Sequence, residues 1–314
     1  MKNIIQKIKW LKGDKSVWLS QRSALLGLGS YDTVRFGSSE IGTVMGISPY
    51  ESKLAMFHRK RGFYLRDKNS LKMTVGGRIE PLIADIMESY NFDRDQMDFD
   101  YSQGIKHRKL HNANYFLTNS EYPFLLASID YTTDNKVPCM FTGEYPKKGI
   151  IWELKNPAFM AYKNWGGKPP AYYVAQVQQQ LAVSGYDKGM IGVLAGSDYP
   201  DLFLVERDKQ FIEYMDNVTT EFGLIILKAK AIDKIIFEEE SQTYPDYGYI
   251  EDLKGMLQEL EPSTDGTEAT REFLEEDMYS ESNALEKIGN DTTDSLCYRY
   301  LKALKLENKL KEVK

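Results

Sequence analysis

Glu153 and Lys155 stand two residues apart in the stretch 149–157, GIIWELKNP. Strand alternation puts Ile151, Glu153 and Lys155 on one face and Ile150, Trp152 and Leu154 on the other. A carboxylate can hold a hard divalent cation, and an ammonium beside it can orient or deprotonate a water. Taken alone, the pair reads first as a surface pair on an edge strand, because Glu-x-Lys is a common string. Three further groups add weight. Asp130 closes the apolar run 124–130, FLLASID, on the same face as Ser128. The turn-rich stretch 131–148 reads as a hairpin-like excursion, so the strands carrying Asp130 and Glu153 are expected side by side. Two carboxylates that close are unfavourable unless a cation or a proton sits between them, which points to a divalent metal. Glu80 falls at the border of an apolar helix stripe. Gln176 and Gln180, four apart on another helix, suit hydrogen bonds to a nucleic-acid backbone or to a metal-bound water, or simply form an exposed polar face.

These groups need elements to hold them. Residues 1–15 read as a basic amphipathic lead-in. Residues 18–28, WLSQRSALLGL, read as a helix carrying Arg22 and ended by Gly27 and Gly29. In 36–48, Ser38 or Ser39 takes an N-cap position before Ile41, Val44 and Met45, and Gly46 closes the helix. A serine-capped helix start can receive an anion. Ser52 caps a further helix to Arg61. In 71–90, Val75, Ile79, Leu82, Ile83 and Ile86 recur as one apolar stripe. A helix over 172–184 buries Val174, Val177 and Leu181. Strands over 189–195 and 202–205 and a helix over 209–237 complete the expected compact part.

Composition narrows the classes. The 314 residues are 42% hydrophobic, enough for a large core. No apolar run is long enough to span a membrane and no secretory leader is read at the start, so a cytoplasmic setting is expected. Cys139 and Cys297 form no CxxC pair, which argues against a structural zinc or an iron–sulfur cluster. Residues 1–237 carry a basic excess, whereas 238–286 hold sixteen acidic residues against Lys254 and Arg271. A basic body attracts a polyanion such as DNA; the acidic stretch reads as a loosely packed linker, followed by a helix over 296–313.

The order helix–strand–strand–helix bearing Glu80, Asp130, Glu153-x-Lys155 and Gln176 resembles the PD-(D/E)xK nuclease superfamily. More narrowly, WLSQR at 18–22, GSSEIGTVMGISPY at 37–50, GRIEP at 77–81, ASID, ELKNP and YYVAQVQQQLAVSG at 172–185 resemble the YqaJ-type viral recombinases, the phage lambda exonuclease family. That resemblance implies an α/β fold with a restriction-endonuclease-like core, a central mixed β-sheet flanked by helices, and a mostly helical C-terminal extension. It implies an exonuclease domain over 1–237 and an acidic linker plus extension over 238–314. Glu80, Asp130, Glu153 and the main-chain carbonyl of Leu154 would bind two magnesium ions, with manganese able to substitute. Lys155 would position or activate water, Gln176 would assist, and Arg22, Ser39 and Ser128 would contact a DNA 5′-phosphate. Lys163 is the nearest match to a basic residue beyond the catalytic lysine, and Tyr131 stands where relatives carry glycine. The implied activity is 5′→3′ degradation of linear duplex DNA, leaving 3′ tails for a phage single-strand annealing protein, with a ring-shaped homotrimer acting on DNA ends. The alternatives are an endonuclease or an iron–sulfur member of the same superfamily, or a non-catalytic DNA-binding protein of that fold.

Overall fold

The structure is a computed structural model and describes residues 4–11, 15–62, 71–93, 98–101, 106–196 and 199–278. The helix expected over 296–313 and Cys297 lie outside these residues. In chain order the elements are β1 (Ile5–Lys9), α1 (Lys15–Leu25), β2 (Phe36–Gly37), α2 (Ile41–Val44), α3 (Lys53–Arg61), α4 (Leu71–Ser89), β3 (Tyr90–Asp93), β4 (Asp98–Tyr101), β5 (His111–Asn112), β6 (Tyr115–Asn119) and β7 (Tyr122–Ser128). Then come β8 (Tyr131–Thr132), β9 (Ile150–Lys155), α5 (Phe159–Lys163), α6 (Ala171–Ser184), β10 (Lys188–Ala195), β11 (Tyr199–Glu206), α7 (Lys209–Glu240), α8 (Tyr247–Leu260) and α9 (Glu268–Glu272).

The strands form two mixed sheets, in the orders β1-β6-β7-β2 and β11-β10-β9-β8-β5, and β3 and β4 pair as a hairpin. Instead of one central sheet, the chain leaves the first sheet after Ser128 and joins the second at Tyr131. β8 pairs antiparallel with β9, Tyr131 opposite Trp152 and Thr132 opposite Ile151. β10 lies parallel to β9, so a crossover must join them, and α6 is that crossover. The expected edge strand is thus an inner strand. Ile151 packs in one core cluster while Ile150, Trp152 and Leu154 pack in another, with Ile83 and Met87 of α4. Gly149 starts β9 at φ 103°, where a Cβ would lie 2.0 Å from the Thr133 carbonyl oxygen, so only glycine fits.

Three expectations change. The stripe of α4 is narrower than the sequence suggests: Ile83 and Met87 are buried, but Val75 and Leu82 are exposed. Phe36 and Gly37 form a short strand, Ser38–Glu40 a 3-10 turn, and its N-cap is Gly37 rather than a serine. Residues 238–260 are no loose linker, because α7 runs through to Glu240 and α8 buries Ile250, Leu253 and Leu257. That i, i+3, i+7 spacing makes one apolar stripe despite the surrounding acids. The compact unit runs Met1–Asp265, and Gly266–Lys314 form a second unit.

The largest departure is α6. Ala175 to Ser184 are all buried, glutamines included. The Gln179 side chain donates to the carbonyls of Phe36 (2.9 Å) and Leu126 (3.1 Å), tying β2 to β7 from behind. Buried carbonyls stripped of their donor cost about 1–3 kcal/mol. Gln179→Leu is therefore expected to destabilise the protein by about that amount, read as a lower urea midpoint at unchanged m-value.

Candidate active site

Continuing the β8–β9 register by one residue places Asp130 opposite Glu153. The two carboxylates do meet, though Asp130 belongs to the link between sheets and not to β7. Asp130 Oδ2 accepts the main-chain N–H of Leu154 at 3.0 Å. Glu153, 3% exposed, points toward α6 and is closed by three donors. Its Oε1 accepts Lys155 Nζ at 2.5 Å and Gln176 Nε2 at 2.6 Å; its Oε2 accepts Gln180 Nε2 at 2.6 Å. Lys155 Nζ also donates to Gln176 Oε1 at 3.2 Å, so Lys155, Glu153 and Gln176 form a closed ring of hydrogen bonds. Gln180, which the spacing pairs with Gln176 but to which the resemblance gives no role, holds the second oxygen of Glu153 and donates to the Ser128 carbonyl at 3.0 Å.

The electrostatics follow from crowding. Burial, then Glu153 and Glu80, push the Asp130 carboxyl well above the usual carboxylate range, although Lys155 and the Leu154 amide pull the other way. Burial and then Glu153 also raise Glu80, so that helix glutamate lies within reach of the cluster. Burial disfavours the Lys155 charge, but Glu153 and Asp130 outweigh it and hold the ammonium above its ordinary range. In the metal-free protein Lys155 is thus a charged donor. Among the described residues, no three His, Cys, Asp or Glu side chains stand ready to hold a metal ion. The donor types fit a hard divalent cation, since Glu80, Asp130 and Glu153 offer only oxygen and repel one another without one. Both oxygens of Glu153 are engaged, Oε1 by Lys155 and Gln176 and Oε2 by Gln180.

A second group lies around the 3-10 turn. Arg22 of α1 donates to Ser39 Oγ at 3.2 Å, which joins two of the three expected phosphate contacts. Behind them Glu40 is buried. It accepts Gly37 N–H at 2.7 Å, Lys60 Nζ at 2.9 Å and Arg59 at 2.9 Å. Burial works against the Glu40 charge, but Lys60, Arg59 and Arg22 together hold its carboxyl below the usual range. Lys60 is 0% exposed and shares that carboxylate with Arg59, so burial brings its ammonium down to about 8. Spacing gives no hint of this cluster; the sign would be a lysine where the helix pattern demands an apolar residue. His107 and His111, four apart in a basic stretch, take no part in either group.

The model of the YqaJ-like viral recombinase domain matches residues 17–187, more than half of the chain. The chain belongs to the YqaJ-like viral recombinase family. The matched span takes in Arg22, Ser39, Glu80, Asp130, the Glu153–Lys155 pair, Gln176 and Gln180. Membership makes the chain a deoxyribonuclease of the viral-recombinase type, and its mixed sheets and helices make the fold mixed α/β. Similar solved structures include an alkaline exonuclease, LHK-Exo, from Laribacter hongkongensis, at 16% identity and TM-score 0.47, covering 76% of this chain and 97% of that one. A phage-related exonuclease from Haemophilus somnus 129PT aligns at 11% identity and TM-score 0.43, covering 64% of this chain and 96% of that one. No curated protein sequence matches the chain. No helix among the described residues is long and apolar enough to cross a membrane.

Proposed function

We propose that the YqaJ-like chain is a magnesium-dependent exonuclease that degrades one strand of linear duplex DNA from its 5′ end. The observation that carries this reading is the grouping of Asp130, Glu80 and the Glu153–Lys155 pair, in a domain matched as a recombinase that also joins Arg22 to Ser39. When bound, magnesium (two ions by the family resemblance, replaceable by manganese) supplies charge neutralisation at the scissile phosphate and a water acidic enough to attack it. Glu80, Asp130, Glu153 and the Leu154 carbonyl are the residues to hold it. Lys155, a charged donor poised between Glu153 and Gln176, orients the attacking water. Gln176 and Gln180 fix the Glu153 carboxylate so that little reorganisation remains at reaction. Arg22 and Ser39, with Ser128, bind the terminal 5′-phosphate, and a bidentate guanidinium suits that group. The 3′ tail so exposed serves annealing with a phage partner protein in the cytoplasm of a bacterial host, from a homo-oligomer.

The test uses duplexes labelled on one strand. A 5′-phosphorylated linear duplex should be lost fastest, its 5′-hydroxyl counterpart more slowly, and closed circular DNA not at all. Nicking of the circle would overturn the exonuclease reading and favour an endonuclease. Arg22→Ala should narrow the difference between phosphate and hydroxyl ends to within a few fold. Its loss of one charged phosphate contact is worth about 1.5–3 kcal/mol, roughly ten- to a hundredfold in the rate at low substrate. An undiminished preference would remove Arg22 from the phosphate site.

A further inference from the structure

Seven aromatic side chains run through the molecule as one contiguous row, and Lys155 sits on it. Tyr50 meets Tyr172 edge to face at 5.6 Å between ring centres, and their hydroxyls lie 3.3 Å apart. Tyr172 meets Tyr173 at 4.4 Å, Tyr173 meets Trp165 at 5.6 Å, and Trp165 meets Tyr162 at 5.2 Å. Tyr199 follows at 5.4 Å from Tyr162, and Phe159 at 5.9 Å from Tyr199. The Lys155 ammonium lies 4.7 Å from the ring centre of Tyr173, so the row passes beside the Glu153 cluster. Its two ends are open: Tyr50 is 63% exposed and Tyr199 49%. The middle rings are half-buried and wedged against one another, which holds them rigid.

Tyr162, Trp165 and Tyr173 also pack against the core, so the row presents to solvent its exposed members, Tyr50 at one end and Tyr199 and Phe159 at the other, and exposed aromatic groups that cluster mark a binding surface. From these rings we infer that the row is a stacking platform for an unpaired DNA strand at the site. The inference rests on the nuclease reading above. Every base has a π-face, so rings at base-like intervals hold a strand without regard to its sequence. A duplex hides those faces, which leaves unpaired nucleotides as the occupant. Charge agrees: Lys163 and Lys168 are exposed on the segment that carries Phe159 and Trp165, and can follow the phosphates. Lys163 lies over the Phe159 ring at 4.8 Å, so ring and cation present one surface.

Fluorescence anisotropy of a labelled twelve-nucleotide oligo-dT, in EDTA so that hydrolysis is silent, tests the platform on the full chain. A blunt DNA hairpin closed by a non-nucleotide linker, which leaves no base unpaired, serves as the duplex probe. Tyr199→Ala and Phe159→Ala alter the open end of the row. Each should weaken oligo-dT binding roughly tenfold, the order of one lost base stack, and leave the hairpin affinity within about twofold. Trp165→Phe keeps the packing and isolates the Trp165 emission, which oligo-dT should quench in the parent chain. Unchanged oligo-dT affinity in both alanine variants overturns the platform, as does an equal loss on the hairpin. Magnesium-dependent hydrolysis of the linear duplex is measured in parallel. Intact hydrolysis with unchanged affinities sinks the platform alone; absent hydrolysis sinks the nuclease reading and leaves the platform to be judged on the anisotropy.

Discussion

Asp130→Asn raises the melting temperature of the metal-free protein and removes hydrolysis. Asp130 is buried against Glu153 and Glu80, and both press its carboxyl toward the neutral form. Asparagine removes the repelled charge. Its side-chain oxygen can still accept the Leu154 N–H that Asp130 Oδ2 accepts at 3.0 Å, and its amide can donate to the neighbouring acids. A gain of about 1 kcal/mol corresponds to roughly 2–4 °C in a unit of this size. Hydrolysis should fall on the order of a thousandfold, the scale of one preorganised charged group in a site shielded from water. The pH dependence has a definite sign. A carboxyl raised in the folded state binds a proton that the unfolded chain has already released, so its contribution to stability is present below pH 4 or so and is lost as pH rises through the folded value. The melting temperature of the metal-free parent should therefore fall with pH just above the ordinary carboxylate range, and the asparagine variant should fall less. Magnesium should stabilise the parent and not the variant. Equal stability of the two chains at neutral pH would mean that Asp130 and Glu153 do not repel, and the cluster would be misread.

Glu153→Gln has the opposite sign in stability and the same sign in activity. Both oxygens of Glu153 accept: Lys155 and Gln176 on one, Gln180 on the other. An amide replaces one acceptor by a donor, so at least one of those donors is left facing N–H groups inside the protein. The Lys155 side chain, 18% exposed, also loses the carboxylate that balances it. Breaking a fully buried pair costs about 3–5 kcal/mol; the partial exposure of Lys155 lowers this to about 2–3 kcal/mol, or roughly 5–10 °C in melting temperature. Adding Lys155→Met removes the stranded charge and should recover part of the loss, a non-additivity that a double-mutant cycle reads directly. Full additivity would show that the two side chains are not coupled.

The contrast between these two carboxylates was only partly legible in the sequence. Types and order were: an acid closing an apolar run, an acid-x-lysine on a strand, an acid on a helix and a glutamine on the next helix all lie where spacing puts them. Which strand Asp130 serves was not. Its alternation with Ser128 suggests one continuous strand, but β7 ends at Ser128 and the pairing of Tyr131 with Trp152 sets the geometry. Strand partners are a tertiary fact that alternation alone leaves open. The surroundings of Glu153 were hidden for a related reason. Helix periodicity sorts residues by polarity, so Gln176 and Gln180 read as a polar face, whereas α6 is buried from Ala175 through Ser184 and its glutamines satisfy main-chain and carboxylate groups. One signal was available: residues 171–184 contain no charged residue, which is unusual for a helix with a solvated face. The buried Lys60 against Glu40 carried a fainter signal, a lysine at a position where the stripe of α3 calls for an apolar residue.

The measurement that bears most directly on the site is the rate of loss of a 5′-phosphorylated linear duplex, with magnesium at saturating enzyme, for the parent chain and for Lys155→Ala. A lysine that orients the attacking water predicts a fall on the order of a hundredfold or more, with DNA binding in EDTA unchanged. Equal rates would contradict the assignment of β9 as the strand that cuts.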